Sequence, residues 1–181
     1  MRAAARAAAA AALLACAVTG CGLEQDIASN AGAGPGAGAQ APEIRAALAG
    51  GGTFDLAGHR GHAVVIDFYA SWCAPCQAQQ AELDAAATRY AGRVTFVGVD
   101  MREGEAEAVS YIAAHGVPYG SVVDADGSIA GDYDVPAPPT TVVVDPGGRV
   151  LQSFLGGITA ARLAAVLDPV LATTAVTTTH G

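Results

Sequence analysis

Cys73 and Cys76 are separated by two residues in "FYASWCAPCQ" (68–77), directly after an apolar run. Two thiols at that spacing can form a reversible disulfide, supply half of a metal site, or make a structural cross-link. The next stretch, "APCQAQQAELDAAATRY" (74–90), is rich in helix formers and has Pro75 where a first helical turn tolerates proline. Cys73 is therefore predicted at a helix N-terminus, where unpaired N–H groups and the helix dipole stabilise a thiolate. A thiol so placed has a lowered pKa and acts as the nucleophile. Cys76 comes round one turn beside it, within disulfide reach, and can resolve a mixed disulfide formed at Cys73. Trp72, the chain's one tryptophan, is expected to shield the pair from water on one side.

The rival chemistries lack residues. A structural zinc site needs four ligands, usually a second Cys pair or a His pair. The other two cysteines, Cys16 and Cys21, belong to the N-terminal segment, and His59, His62, His115 and His180 are scattered. Copper could use two thiolates and a histidine, but no histidine lies near the loop at Pro139. A thiol peroxidase needs Thr and Pro just upstream of its cysteine, which Val65 and Tyr69 do not supply. A purely structural disulfide closing so small a loop gains little. No metal is expected, nor any cofactor other than the Cys73–Cys76 disulfide itself.

The elements that must hold this pair can be read from hydrophobic pattern. "HAVVIDFYA" (62–70) and "RVTFVGVD" (93–100) are nearly continuous apolar runs of strand length, as expected for strands covered on both faces. "EIRAALAG" (43–50) suggests a short helix ending at Gly50, and "TFDLAG" (53–58) a short strand. A helix over 103–116 is ended by Gly116, and "SVVDADG" (121–127) is a short strand or turn. "TTVVVDPGGRVLQSF" (140–154) is two strands joined by an Asp-Pro-Gly-Gly turn, and 159–171 is a closing amphipathic helix. Helical crossovers imply parallel strands and the hairpin adds an antiparallel pair, so the fold class is α/β with a mixed central β-sheet and helices on both faces.

Outside that domain the chain looks like an address and a tether. Arg2 and Arg6 precede an uncharged stretch of about twelve residues, too short to span a membrane comfortably but suited to a signal peptide. Val18-Thr19-Gly20-Cys21 resembles the lipobox of bacterial lipoproteins, which implies a signal peptide over 1–20 and lipidation at Cys21. Two or more acyl chains would anchor the protein to the cell membrane. Residues 21–41, rich in Gly, Ala and Pro, are expected to be a flexible tether, 42–172 the folded domain, and 173–181 a disordered tail. A net charge of −8 with no basic cluster argues against nucleic acid.

"VVIDFYASWCAPC", "VGVD" (97–100), "HGVPYGSVVDADGSIAGDYDV" (115–135) and "PTTVVVDPGGRV" (139–150) together resemble the thioredoxin superfamily, and most of all the TlpA/ResA-like extracytoplasmic thiol-disulfide oxidoreductases. The resemblance implies a thioredoxin-like fold and a protein-disulfide reductase. Substrates would be disulfide-containing extracytoplasmic proteins, including apocytochrome c, and electrons would come from a membrane thiol donor of the CcdA/DsbD type. It also implies that Asp67 is the buried acid that takes the Cys76 proton. Pro139 would be the cis-proline facing the cysteines, with Pro138 and Thr140 beside it where substrate binds. Two residues depart from the pattern. Many relatives have Glu three residues after the second cysteine, where this chain has Gln79. Pro138 has no N–H to offer an extended substrate. The Ala-Pro spacer lacks the histidine of the strong oxidants, which favours a reductase; an oxidase and a copper-handling module are the alternatives.

Overall fold

The structure is a computed structural model and describes residues 35–178. Seven strands and four helices follow one another along the described residues: β1 (Arg45–Ala47), β2 (Thr53–Asp55), β3 (Ala63–Tyr69), α1 (Ala74–Arg89), β4 (Val94–Met101), α2 (Glu105–His115), β5 (Ser121–Asp124), α3 (Ser128–Asp132), β6 (Thr140–Val144), β7 (Val150–Leu155) and α4 (Ala160–Thr178). The central sheet has the order β5-β4-β3-β6-β7. β3, β4 and β5 run parallel to one another, while β6 lies antiparallel to β3 and to β7. The mixed sheet expected from the pattern is thus present. Every residue of β3 is buried, as a strand at the centre of a two-faced sheet requires.

Strand parity sorts the core into two layers. Val64, Ile66 and Phe68 of β3 join Val97, Val99 and Met101 of β4 on one face, under Phe54, Leu56 and Tyr133. Ala63 and Val65 join Val94 and Phe96 on the other, under Leu83 of α1 and Leu163 and Leu167 of α4. The odd-numbered residues of β3 therefore point at α1.

Gly98 on β4 shows how closely that second face is filled. A Cβ there would stand 2.8 Å from the Tyr69 ring and 2.9 Å from the Ser121 hydroxyl. Those two groups are hydrogen-bonded to each other at 2.8 Å in the interior, so neither can simply move away. Gly98→Ala is expected to destabilise the protein by about 1–3 kcal/mol through overpacking, read as a lower denaturation midpoint.

The structure departs from the sequence pattern in four places. Residues 45–47 form β1, paired antiparallel with β2, in place of the expected short helix. Gly50, Gly51 and Gly52 all have positive φ (82°, 113° and 92°) and turn the chain back on itself, and a helix of eight residues is too short to compete with that pairing. The expected tether ends earlier than residue 41. Gly38 N–H donates to the Val150 carbonyl at 2.7 Å, Val150 N–H to the Ala39 carbonyl at 2.8 Å, and Ala41 is buried. Backbone pairing along the start of β7 needs no apolar side chains, so a Gly/Ala-rich segment can dock there. Asp124, the last residue of β5, accepts the N–H groups of Ile129 and Ala130 in α3, a helix that the hydrophobic pattern does not signal. Finally, α4 runs to Thr178, so residues 173–178 are its last turns rather than tail. The expected signal peptide and Cys21 lie outside the described residues.

Candidate functional site

The parity of β3 puts Asp67 and Tyr69 on the face that α1 covers, and the strand ends at Tyr69, four residues before Cys73. The chain then makes a short turn and starts α1 with Cys73 as its N-cap. Cys73 and Cys76 are joined as a disulfide, with Cα atoms 5.2 Å apart. The N–H of Cys76 donates to Cys73 Sγ at 3.2 Å. An N-cap sulfur held by a helical N–H is where a thiolate would be stabilised once the bond is reduced. Both cysteines are buried, Cys73 retaining 4% of its surface in solvent and Cys76 1%.

Tyr69, Ala70 and Tyr111 pack around the pair, with Val117 at the margin. The Tyr69 and Tyr111 rings lie 4.6 Å apart, centroid to centroid. Trp72, expected to shield the pair on one side, is 64% exposed. The turn ahead of the N-cap points its side chain outward, and the cover on the pair comes from tyrosines of β3 and α2. Trp72 is instead an apolar surface beside the disulfide.

Asp67 is 2% exposed. Burial pushes its pKa up to about 7, and a hydrogen bond from Gln79 pulls the other way. That bond joins Gln79 Nε2 to Asp67 Oδ1 at 3.0 Å. The same amide's Oε1 accepts the backbone N–H of Ile158 at 3.1 Å. Because the Ile158 N–H can only donate, the amide oxygen must face it, and the NH2 group is left to face Asp67. Gln79 lies one turn beyond Cys76 on the buried face of α1, and the sequence alone offers no sign of this coupling beyond the spacing.

Pro139 also arrives at this end of the sheet. The Pro138–Pro139 bond is cis, and Pro139 directly precedes β6, whose first residue pairs with Phe68 near the end of β3. Pro139 is buried and Pro138 half-buried. The Pro139 carbonyl accepts the Gly156 N–H at 2.8 Å. Thr140 is fully buried and its hydroxyl donates to the Ala137 carbonyl at 2.8 Å, closing the proline-rich loop.

A disulfide at a helix N-cap, above a buried acid and at the end of a strand flanked by a cis-proline loop, is a thioredoxin-type arrangement. The AhpC/TSA family model matches residues 37–153. The chain belongs to this thioredoxin-like family. It is 36% identical over 93 residues to a thiol:disulfide interchange protein DsbE homologue of Paracoccus denitrificans, covering 51% of this chain and 50% of that protein. It is 28% identical over 126 residues to the thiol-disulfide oxidoreductase ResA of Bacillus subtilis, covering 67% and 69%. Among solved structures, a secreted Mycobacterium tuberculosis disulfide oxidoreductase homologous to E. coli DsbE superposes with a TM-score of 0.63 at 26% identity, covering 70% of this chain and 95% of that one. The chain spans half the length of the Paracoccus relative. The ResA-like resemblance read from the motifs agrees with these relatives.

Proposed function

We propose that this protein is a thiol-disulfide oxidoreductase that reduces disulfides in extracytoplasmic proteins through Cys73 and Cys76. The observation that carries the reading is the sulfur of Cys73 at the N-cap of α1, bonded to Cys76 and receiving its N–H. In the reduced protein the Cys73 thiolate attacks one sulfur of a substrate disulfide. The substrate S–S bond breaks, a mixed disulfide forms, and the departing substrate thiolate takes up a proton. Cys76 then gives its proton to Asp67 through water and attacks Cys73 Sγ. The second substrate thiolate leaves, the substrate has gained two electrons, and the Cys73–Cys76 disulfide is restored. A buried carboxyl with a pKa near 7 is matched to that proton transfer.

Several features support the direction and the setting. The Ala-Pro spacer places no cation between the cysteines to stabilise the reduced form strongly. The relatives carry the names DsbE and ResA. On this reading Cys21 is lipidated and holds the domain at the outer face of the cell membrane, where apocytochrome c is a candidate substrate. A membrane thiol transporter of the CcdA/DsbD type would re-reduce the pair. Among the described residues no helix is long and apolar enough to cross a membrane. Trp72 and Pro138 would form the surface that receives the substrate, next to the buried Pro139, with only acceptor groups on the Pro138 backbone.

The test is insulin reduction with a dithiol donor, together with the reduction potential of the pair. Turnover lost in Cys73→Ser, and a potential near about −270 mV, are expected of a reductase. A value near about −120 mV would instead identify an oxidase. No turnover with stoichiometric binding of Cu(I) would move the protein to metal handling.

A further inference from the structure

Ser71 lies two residues before Cys73, so their Cα atoms are no more than about 7 Å apart. Each of its polar groups is gripped by a side chain from beyond the turn. The backbone N–H and the hydroxyl both donate to the Glu103 carboxylate, the latter at 2.6 Å. The carbonyl accepts Gln77 Nε2 at 2.9 Å. Charge-assisted bonds of this two-pronged kind fix geometry as well as distance.

A backbone device delivers Glu103 to that position. Arg102, directly after β4, has φ +60°, the left-handed region that an L-residue other than glycine enters at a cost. Its N–H is held by the Asp124 carbonyl at 2.8 Å. Such a residue persists where its surroundings over-determine it, and here it swings the chain back toward the active-site turn. Near Glu103, Asp100 is fully buried on the same face of the sheet as Asp67 and Tyr69. Burial, a hydrogen bond between the Asp100 and Glu103 carboxyl groups, and the charges of Glu103 and Glu107 push its pKa up to about 8. Tyr69 and Tyr111 are the other titratable groups acted on by its charge, and burial holds both in the neutral form. A neutral Asp100 at pH 7 sets no second negative charge beside Glu103.

We propose that Glu103 is a positioning residue for the exchange reaction: it latches Ser71 and thereby holds the turn that presents Cys73 at the start of α1. This role rests on Cys73 being the attacking thiol. The test uses the reduced full-length chain and two readouts, alkylation of Cys73 by iodoacetamide across pH 5–9 and insulin reduction. Glu103→Ala removes the latch and is expected to slow both by about tenfold at pH 7, the scale of a modest misplacement of a reacting group. Glu103→Gln keeps one acceptor for the Ser71 N–H and a donor for its hydroxyl, and is expected to recover at least about a third of the rate. Ser71→Ala keeps one prong and should fall between, which serves if Glu103→Ala does not fold. Equal rates in the wild type, Ala and Gln proteins would overturn the latch. So would equal losses in Ala and Gln, which would assign the effect to charge alone. If the wild type fails to reduce insulin while the alkylation series still separates, the reductase reading fails and the latch stands.

Discussion

Cys76→Ser protein, reduced and mixed with an oxidised protein substrate, is expected to accumulate as a mixed disulfide through Cys73, while Cys73→Ser accumulates none. The expectation follows from how α1 begins. Cys73 is the N-cap, and its sulfur receives the Cys76 N–H. Cys76 lies inside the first turn of the helix. The N-cap position makes Cys73 the thiol expected to attack and Cys76 the one expected to resolve. The helix N–H that now contacts Cys73 Sγ also favours the thiolate there over the thiolate at Cys76. Removing the resolving thiol leaves attack intact and blocks release, so steady-state turnover should fall by at least about 10³-fold in both variants. A non-reducing gel with mass analysis of the adduct distinguishes them. Trapping through Cys76 in the Cys73→Ser protein, at a comparable rate, would reverse the roles assigned to the two cysteines.

Much of this site is legible in the sequence because it is local. The apolar run of β3, Pro75 in the first turn and the two-residue spacer dictate the strand, the helix and the disulfide between them. The hairpin of β6 and β7 is equally plain, because Asp145 and Gly148 are what its turn requires; Gly148 has φ +81°. What stays hidden depends on contacts between distant segments. Nothing near Gln79 says that the Ile158 N–H, 79 residues away, will fix its amide and turn the NH2 group toward Asp67. Glu103 looks like one acid among several on a helix approach, and only the left-handed Arg102 brings it to Ser71. The exposure of Trp72 depends on which way the turn before α1 faces, which the spacing of the cysteines does not specify. The docking of residues 38–41 on β7 uses backbone groups, which composition cannot reveal. β1 is masked for a related reason: "EIRAALAG" has helical propensity, and pairing with β2 overrides it.

Asp67→Asn is expected to do two opposite things, and together they separate a catalytic acid from a merely buried one. The first concerns stability. Asp67 titrates near 3.8 when unfolded and about 7 when folded, because burial disfavours its charge. Below pH 4 both states hold the proton and the group is neutral in effect. Between about pH 4 and 7 the folded state holds a proton that the unfolded state has lost, so stability falls as pH rises, and it levels off above the folded pKa. The full loss is up to about 4 kcal/mol, because each tenfold difference in proton affinity between the two states is worth about 1.4 kcal/mol. Asn removes it, so the oxidised variant should exceed the wild type in denaturant midpoint at pH 8 and approach it at pH 4. The second concerns rate. Without a group to accept the Cys76 proton, release of the mixed disulfide should slow by about 10²-fold, and the rise in turnover around pH 7 should disappear. Gln79→Leu provides the internal check. Loss of its bond to Oδ1 removes the contact that favours the ionised acid, so the rise in rate should move to higher pH and the stability loss should deepen. A variant at Asp67 that gains stability yet keeps the wild-type pH–rate profile would make the acid a burden carried by the core, with the Cys76 proton leaving by another route.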